Sequence, residues 1–265
     1  MVKRLRSAVL LLLLFMLPAN GIAAEELHAI KENARTSKLY DRALELITKK
    51  IPEAFEKKLS NSGKYIDSIT DIFKEKNIPL DIAYLPLVES GFSPLSVGNG
   101  DAVGLWQFVR STGRKYGLKI DSYVDERKDP IKSTYAAARY LKDLHGMFGA
   151  WDIALAAYNA GDGKIKRILG RYESARFPQV INRYLARFMA ASTVAQDPES
   201  YGLKTPVDAQ DDEVDFIEIA TDKIINLKTI AEENNTTVTA IKELNPALRT
   251  NRTPPYPYVL RLPVP

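Results

Sequence analysis

The 265-residue chain contains no cysteine. This absence excludes disulfides, thiolate metal sites and a cysteine nucleophile, and it predicts that no lipid is attached through an N-terminal cysteine. A protein without disulfides depends on its hydrophobic core, and hydrophobic residues make up 45% of this chain, enough for a sizeable core.

Histidine is almost as scarce, since His28 and His145 are the only two and lie far apart in the sequence. Imidazole is the commonest side chain among transition-metal ligands, so this scarcity argues against a histidine-based metal site. No other motif indicates a metal or an organic cofactor, and we therefore expect neither.

Long hydrophobic runs are also lacking. The longest, from Ala8 to Leu17, has about ten residues, whereas a membrane-spanning helix needs about 20. A basic start precedes the run and two small residues follow it, which is typical of a secretory signal peptide. We predict a signal peptide over residues 1–24, cleaved near Ala24, and an exported protein that is periplasmic or associated with the cell envelope. An uncleaved N-terminal anchor is the alternative.

Without the predicted signal peptide, the chain has no marked excess of positive or negative charge. The whole chain has 37 Lys and Arg against 33 Asp and Glu, a formal net charge of +4, and Lys3, Arg4 and Arg6 lie in the predicted signal peptide. The remainder is close to neutral, and no stretch interleaves basic with aromatic residues strongly enough to indicate nucleic-acid binding. We expect no nucleic-acid partner.

Apolar residues recur at helical spacing through most of the chain, for example over residues 132–147, 151–159 and 183–194. The last part differs, because two alternating stretches enclose two short helical ones and predict a small βααβ unit. The predicted organisation is a signal peptide (1–24), an N-terminal helical extension (25–75), a mainly α catalytic domain (76–197), a linker (198–214) and the βααβ unit (215–265).

Glu89 continues an apolar pattern and is the first candidate for catalysis. The pattern predicts one helix from Asn77 to about Glu89, in which Ile82 and Leu85 share the face of Glu89. Burial raises the pKa of a carboxyl group, and a carboxylic acid that keeps its proton can protonate the leaving oxygen of a glycosidic bond. The same spacing fits a structural glutamate that caps a helix end or pairs with a basic residue.

Two further segments carry residue types suited to sugar recognition. After Gly104, Trp106 offers an aromatic face for stacking, and Gln107 offers a hydrogen-bond donor and an acceptor. Trp106 also fits a core position. The second segment pairs Tyr158, a phenol, with Asn159, an amide, although Asn before Gly is also common where helices end.

The order and spacing of these segments resemble the catalytic domain of lytic transglycosylases, the goose-lysozyme-like family that cuts the glycan strands of peptidoglycan. The resemblance covers about residues 62–195. The matching stretches are Ile78–Asp81, Leu85–Leu87, Glu89–Phe92, Ala102–Phe108, Thr112-Gly113, Tyr116–Leu118 and Ala156–Gly161. The resemblance implies a mainly α fold of the lysozyme-like α+β superfamily.

The resemblance also implies roles for individual residues. Glu89 would be the single catalytic acid/base, and Ser90 would support the reacting N-acetyl or hydroxyl group. The predicted substrate-binding residues are Ser90, Trp106, Gln107, Tyr158, Asn159 and Tyr184. The expected partner is the peptidoglycan glycan strand.

Most glycosidases use two carboxylates, whereas only one lies in a motif of this chain. By the resemblance, the N-acetyl group of the substrate stabilises the oxocarbenium-like centre. Glu89 then acts as a base on the C6 hydroxyl of N-acetylmuramic acid, and a 1,6-anhydro end forms. Asp101 and Asp125 are the nearest spare carboxylates for a two-carboxylate alternative.

Two features depart from family patterns. Val180 and Ile181 stand where many members have a Glu-Thr pair, which bears on how the far side of the cleft is built. The C-terminal unit resembles a degenerate LysM domain, the module that follows the catalytic domain in one subgroup, through Leu227–Ala231, Leu244–Pro246 and Val259–Pro263. Its usual Gly-Asp-Thr lead-in is replaced, so glycan binding and a purely structural role are both open.

Three functions fit the sequence. The first is a non-hydrolytic peptidoglycan lyase with Glu89 as its acid/base. The second is a lysozyme-type hydrolase on the same fold, whose product ends would be heavier by one water molecule. The third is a non-catalytic cell-wall-binding protein.

Overall fold

The computed structural model describes residues 37–170, 179–204 and 215–264. The predicted signal peptide and residues 205–214 of the predicted linker lie outside the described residues. Within those ranges, none of the helices combines the length and the apolar character that crossing a membrane requires.

Helices dominate the described residues, as the apolar spacing predicts. The α-helices are α1 (Lys38–Glu45), α2 (Pro52–Gly63), α3 (Ile66–Glu75), α4 (Pro86–Glu89), α5 (Arg110–Lys115), α6 (Pro130–Phe148), α7 (Trp151–Ala160), α8 (Asp162–Leu169), α9 (Gln179–Gln196), α10 (Leu227–Glu233) and α11 (Val238–Leu244). Shorter turns of π- or 3₁₀-helix are Leu46–Lys50, Leu80–Tyr84, Asn99–Asp101, Glu126–Lys128 and Glu199–Tyr201. The mainly α architecture is confirmed, and its lysozyme-like character stays a prediction.

The described residues form two compact units, and each is assembled from three separate stretches of chain. The first unit comprises the described parts of 37–52, 69–85 and 140–203. The second comprises the described parts of 53–68, 86–139 and 204–264. The limits of the units therefore differ from the domain boundaries that the composition suggests.

In the first unit, α9 packs against α1, α7 and the 3₁₀ turn Leu80–Tyr84. Residues 154–157 of α7 are fully buried, and three of the four are alanines, which allow helices to approach closely. Asp81 in the turn accepts hydrogen bonds from the side chains of Ser192, at 3.4 Å, and Gln196. These contacts hold the turn that precedes Leu85 against α9.

The C-terminal part of the second unit has the predicted βααβ order. Strand β1 (Phe216–Thr221) pairs antiparallel with β2 (Tyr258–Pro263), and α10 and α11 lie between them in sequence. Both helices begin at side-chain caps, because Asn226 accepts from the Lys228 amide at 3.0 Å and Thr237 accepts from the Ala240 amide at 3.1 Å.

The core of this βααβ unit also contains residues from before α6. Val124 is fully buried in the same cluster as Ile230, Ile241, Leu260 and others. The backbone of residues 123–125 pairs with residues 247–249, since the Asp125 amide donates to the Ala247 carbonyl at 2.8 Å. The βααβ unit therefore shares its core with the segment 123–125.

Candidate active site

The helix predicted to run from Asn77 to Glu89 is interrupted at Pro86. Pro86 has no amide hydrogen to donate to the Ile82 carbonyl, and the Leu85 amide donates to that carbonyl at 3.0 Å instead, as in a 3₁₀ turn. The prediction of one continuous helical face is therefore wrong. Ile82 and Leu85 are fully buried, whereas Glu89 is half-buried at the end of α4.

The backbone turns sharply immediately after this glutamate. Gly91 and Phe92 have φ angles of 64° and 57°, in the left-handed region. A Cβ atom on Gly91 would lie 2.9 Å from Cγ of Lys58, so another residue would have to displace that side chain and adopt a strained backbone conformation. Phe92 is bulky and buried, and its left-handed backbone is a strained conformation that the surrounding structure must hold. The Asn61 amide contributes by donating to the Gly91 carbonyl at 3.0 Å.

Ser90 connects the end of α4 to the segment that begins at Gly104. Its hydroxyl donates to the Leu105 carbonyl at 2.8 Å, with the Pro86 carbonyl 3.4 Å away. The hydroxyl hydrogen is therefore used within the protein, while the oxygen can still accept a hydrogen bond from a ligand.

The loop of residues 101–108, called the 101–108 loop below, approaches its neighbours closely. Gly104 has a φ angle of +85°, and a Cβ atom there would overlap the carbonyl oxygen of Arg127. The Gly104 amide donates to the Ser96 carbonyl at 2.9 Å, and the Val103 amide donates to the Phe108 carbonyl at 3.1 Å. The Val103–Phe108 hydrogen bond therefore closes the loop, and the Gly104 amide attaches it to Ser96.

Trp106 does not offer a face to a sugar ring. Its side chain is 0% exposed, and its indole nitrogen donates to the Thr134 hydroxyl at 2.9 Å. The large apolar surface is buried and the polar atom is satisfied, which is what a core tryptophan requires. The prediction that Trp106 contacts substrate is wrong, and the core alternative is correct.

Gln107 is half-buried, with a φ angle of 49°. Its side-chain nitrogen donates to the Gly104 carbonyl at 2.8 Å and lies 3.4 Å from the Ser96 carbonyl. The donor side of this amide therefore supports the 101–108 loop. A role in substrate binding stays a prediction for Gln107, and it would rest on the amide oxygen.

Arg127, which the sequence reasoning missed, is the most connected side chain of this region. It is 1% exposed and forms a bidentate pair with Asp125, with Nε–Oδ1 and Nη2–Oδ2 distances of 2.9 and 2.8 Å. Its Nη1 donates to the Asp101 carbonyl at 2.5 Å and to the Phe108 carbonyl at 3.0 Å. No periodicity or motif distinguishes this arginine from the other basic residues of the sequence.

The pairing with Arg127 lowers the pKa of both spare carboxylates, Asp125 and Asp101. Burial alone would raise the pKa of Asp125, but the hydrogen bonds and charge of Arg127 outweigh it and lower that pKa below its usual value. The pKa of Asp101 is lowered by its hydrogen bond from Arg127 and by the charges of Arg127 and Arg110. Both carboxylates take part in the ion-pair network around Arg127.

Tyr158 and Asn159 lie in the last turn of α7, in the first unit. Tyr158 is half-buried, and its ring centroid lies 5.2 Å from that of Tyr140. Burial, together with the charge of Asp162, raises the pKa of Tyr140 to about 12, so this neighbour stays neutral over the physiological range. Asn159 is exposed, and α7 ends before Gly161, whose φ angle is 87°.

Tyr184 is half-buried on α9, also in the first unit. Ile181, one of the two departures from the family pattern, is 2% exposed and belongs to the core. The side chain of Val180 lies outside the described residues. The structure therefore brings Glu89, Ser90, Trp106 and Gln107 together in the second unit, and it assigns Tyr158, Asn159 and Tyr184 to the first.

Residues 70–181 match the protein-family model described as Transglycosylase SLT domain. That range lies within the stretch whose motifs resemble lytic transglycosylases, and it contains Glu89, Ser90, Gln107, Tyr158 and Asn159.

Two curated relatives are similar to parts of the chain that differ in length. The chain is 30% identical over 195 residues to "Membrane-bound lytic murein transglycosylase D" of Escherichia coli strain K12, which covers 70% of this chain and 43% of the relative. It is 31% identical over 124 residues to "Putative tributyltin chloride resistance protein" of Alteromonas sp. strain M-1. That match covers 46% of this chain and 60% of the relative. The chain thus spans less than two thirds of the length of either relative.

A solved structure of an inactive mutant of the lytic transglycosylase Slt from Pseudomonas aeruginosa is 20% identical, with a TM-score of 0.42 over 54% of this chain and 25% of that chain. This likeness is too weak to support an argument about the fold.

Proposed function

We propose that this chain is a peptidoglycan lytic transglycosylase. It cleaves the β-1,4 bond between N-acetylmuramic acid and N-acetylglucosamine and leaves 1,6-anhydro ends. The observation that carries the proposal is the match of residues 70–181 to the Transglycosylase SLT domain, a range that includes Glu89 at the end of α4. The relative named as a murein transglycosylase supports the same substrate class.

Glu89 performs both proton transfers in this mechanism. As an acid it donates its proton to the glycosidic oxygen while the bond from that oxygen to C1 of N-acetylmuramic acid breaks. As a carboxylate it then takes the proton of the C6 hydroxyl while O6 bonds to C1, and the starting state is restored. By the resemblance, a single acid/base is sufficient because the N-acetyl group of the substrate stabilises the charged centre in place of a second carboxylate. The engagement of Asp101 and Asp125 with Arg127 favours this reading.

The remaining polar residues of the motifs bind substrate in this proposal. Ser90 contributes its hydroxyl oxygen, and Gln107 contributes its amide oxygen. Tyr158, Asn159 and Tyr184 are the further substrate-binding residues that the resemblance implies. Trp106 supports the 101–108 loop from the core instead of contacting the sugar.

Digestion of purified peptidoglycan sacculi tests the proposal. The wild-type chain is expected to release soluble muropeptides, and Glu89→Gln, which keeps the shape of the side chain but cannot transfer protons, is expected to release none while still binding sacculi. Glu243→Gln, at an exposed position of α11, is the matched control and should be as active as the wild type. Full activity of Glu89→Gln would refute the proposal, and binding without release by the wild type would favour a non-catalytic wall-binding protein.

For the C-terminal part, we propose a degenerate LysM-like domain that binds glycan. Its βααβ order is that of the predicted module, and the side chains that line a groove of about 740 Å³ beside it are mostly polar, which suits sugars. Tyr123, Asn226, Asn251 and Arg252 are among them. Arg252→Ala should weaken retention of the Glu89→Gln protein on sacculi, whereas Arg249→Ala, also exposed, should not. Equal retention of both variants would favour a purely structural domain.

The cellular location belongs to the same proposal. A signal peptide over residues 1–24, cleaved near Ala24, would deliver the protein to the periplasm or the cell envelope, where peptidoglycan lies. N-terminal sequencing of the mature protein from an envelope fraction tests this. A mature chain that still begins at Met1 would favour the uncleaved anchor.

A further inference from the structure

We propose that Arg127 is a positioning residue for Glu89 and Ser90, and that the βααβ unit holds Arg127 in place through residues 123–125. The catalytic part of this inference rests on the proposed function. The structural part stands by itself, because all of these residues belong to the second unit.

The first step concerns the contacts of Arg127 with the 101–108 loop. Its Nη1 hydrogen-bonds the carbonyls of Asp101 and Phe108, which are the two ends of the loop, at 2.5 and 3.0 Å. Its own carbonyl oxygen lies against Gly104, in the middle, with no space for a Cβ atom. One residue therefore fixes the loop at three points.

The second step leads from the loop to the catalytic glutamate. Leu105 accepts the hydrogen bond of Ser90 at 2.8 Å, and the next residue, Trp106, is anchored in the core by its bond to Thr134. A shift of the loop would therefore move the acceptor of Ser90. Since Ser90 is the next residue after Glu89 in a strained turn, its loss of that acceptor would misplace the Glu89 carboxyl.

The third step leads from Arg127 to the C-terminal unit. The Asp125 amide donates to the Ala247 carbonyl at 2.8 Å, and the Arg249 amide donates to the Tyr123 carbonyl at 2.9 Å. Between them, the side chain of Val124 is fully buried in the βααβ core. These contacts fix the backbone of Asp125, and thereby the carboxylate that orients the Arg127 guanidinium.

Arg127→Lys is the variant that separates positioning from charge. A lysine keeps the positive charge but has one nitrogen, so it cannot bind both oxygens of Asp125 and both loop carbonyls at once. We expect kcat per folded molecule to fall roughly 10- to 100-fold, with KM changed much less, because a misplaced group near the reacting atoms has effects of that order. Arg114→Lys, which loses one hydrogen bond to the Ile120 carbonyl outside the loop, is the matched control.

Val124→Ala tests the contribution of the βααβ unit without changing any charge. It loosens the packing of residues 123–125, and Ile230→Val, which removes one methyl group from α10 in the same cluster, is the control. Hydrogen–deuterium exchange of the peptide covering residues 96–108 is measured in all variants. Exchange should accelerate in Arg127→Lys and Val124→Ala, and it should match the wild type in Arg114→Lys and Ile230→Val.

The outcomes distinguish this inference from the proposed function. Unchanged kcat and unchanged loop exchange in folded Arg127→Lys would overturn the positioning role while wild-type activity upholds the lyase. Wild-type protein that is inactive on sacculi would refute the lyase, and the exchange data would still decide whether Arg127 holds the loop. If Arg127→Lys does not fold, unchanged loop exchange in Val124→Ala would overturn the link to the βααβ unit.

Discussion

Gly91 and Gly104 each occupy a place that combines a left-handed backbone with a neighbour too close for a Cβ atom. The first faces the aliphatic stem of Lys58, which is flexible, and the second faces the backbone carbonyl of Arg127, which is not. The requirement for glycine is therefore stricter at Gly104.

Gly104→Ala is expected to lower the free energy of unfolding by roughly 3 kcal/mol or more. The φ angle of +85° costs energy for any residue with a Cβ atom, and the overlap with the Arg127 carbonyl must be relieved by moving the 101–108 loop. Urea denaturation measures the change.

The matched control is Gly146→Ala in α6, which has open space around it and is exposed. Alanine favours helix over glycine by about 0.5–1 kcal/mol, so this variant should be slightly more stable than the wild type. Equal stability of Gly104→Ala and the wild type would show that the loop is not held as tightly as described.

The sequence predicted some residues of this site and not others, for physical reasons. Glu89, Ser90 and Gln107 are predicted because their neighbours form an ordered set of motifs, and residues 70–181 match the corresponding family model. Trp106 was misassigned because an aromatic side chain suits a core and a sugar platform equally well. Arg127 was missed because its partners Asp101 and Phe108 are distant in sequence and contribute backbone carbonyls, which leave no pattern.

At the scale of elements, the helices and the βααβ order were predictable from apolar spacing. The interruption of the helix before Glu89 was missed, although Pro86 removes an amide donor from it. The composition of the sequence also predicts a linker between the catalytic domain and the C-terminal βααβ unit. In the structure, backbone pairing joins residues 123–125 to residues 247–249 of that unit. Pairing between short segments far apart in sequence has no local signal.

Asn245 connects the elements of the βααβ unit, and Asn245→Ala is expected to lower the free energy of unfolding by about 2–3 kcal/mol. Its buried amide donates to the Ile241 and Arg261 carbonyls at 2.6 and 2.7 Å and accepts from the Arg261 amide at 3.0 Å. Removing the side chain leaves these backbone groups unsatisfied. Thermal or urea unfolding measures the loss.

Asn251→Ala is the control for this element, because its side chain is exposed. Its stability should lie within about 0.5 kcal/mol of the wild type. A similar, small effect of both substitutions would mean that α11 and β2 do not depend on the Asn245 contacts.

At the scale of the whole molecule, three carboxylates with lowered pKa values predict sensitivity to acid. Burial raises the pKa of Asp121 and Asp125, but hydrogen bonds outweigh burial and lower both pKa values. Tyr256 donates to Asp121, and Arg127 donates to Asp125. The hydrogen bond from Arg127 also lowers the pKa of Asp101. Each folded-state pKa is below the unfolded value, so the stabilisation is complete above the unfolded pKa and is lost as pH falls through the folded one.

Urea midpoints near pH 7 and near pH 3 test this expectation. The wild type should unfold at a lower urea concentration at the acidic pH. Asp125→Asn should be less stable than the wild type near neutrality, because Arg127 loses its buried counterion, and the difference between the two proteins should shrink in acid. A difference that is independent of pH would contradict the ionised pairing of Asp125.

The central claim is that one carboxyl group, Glu89, produces 1,6-anhydro ends without water. Mass spectrometry of the muropeptides released from purified sacculi tests this claim most directly. The wild type is predicted to yield ends lighter by one water molecule than reducing ends, and Glu89→Gln to yield neither. Release of reducing ends by the wild type would contradict the account and identify a hydrolase instead.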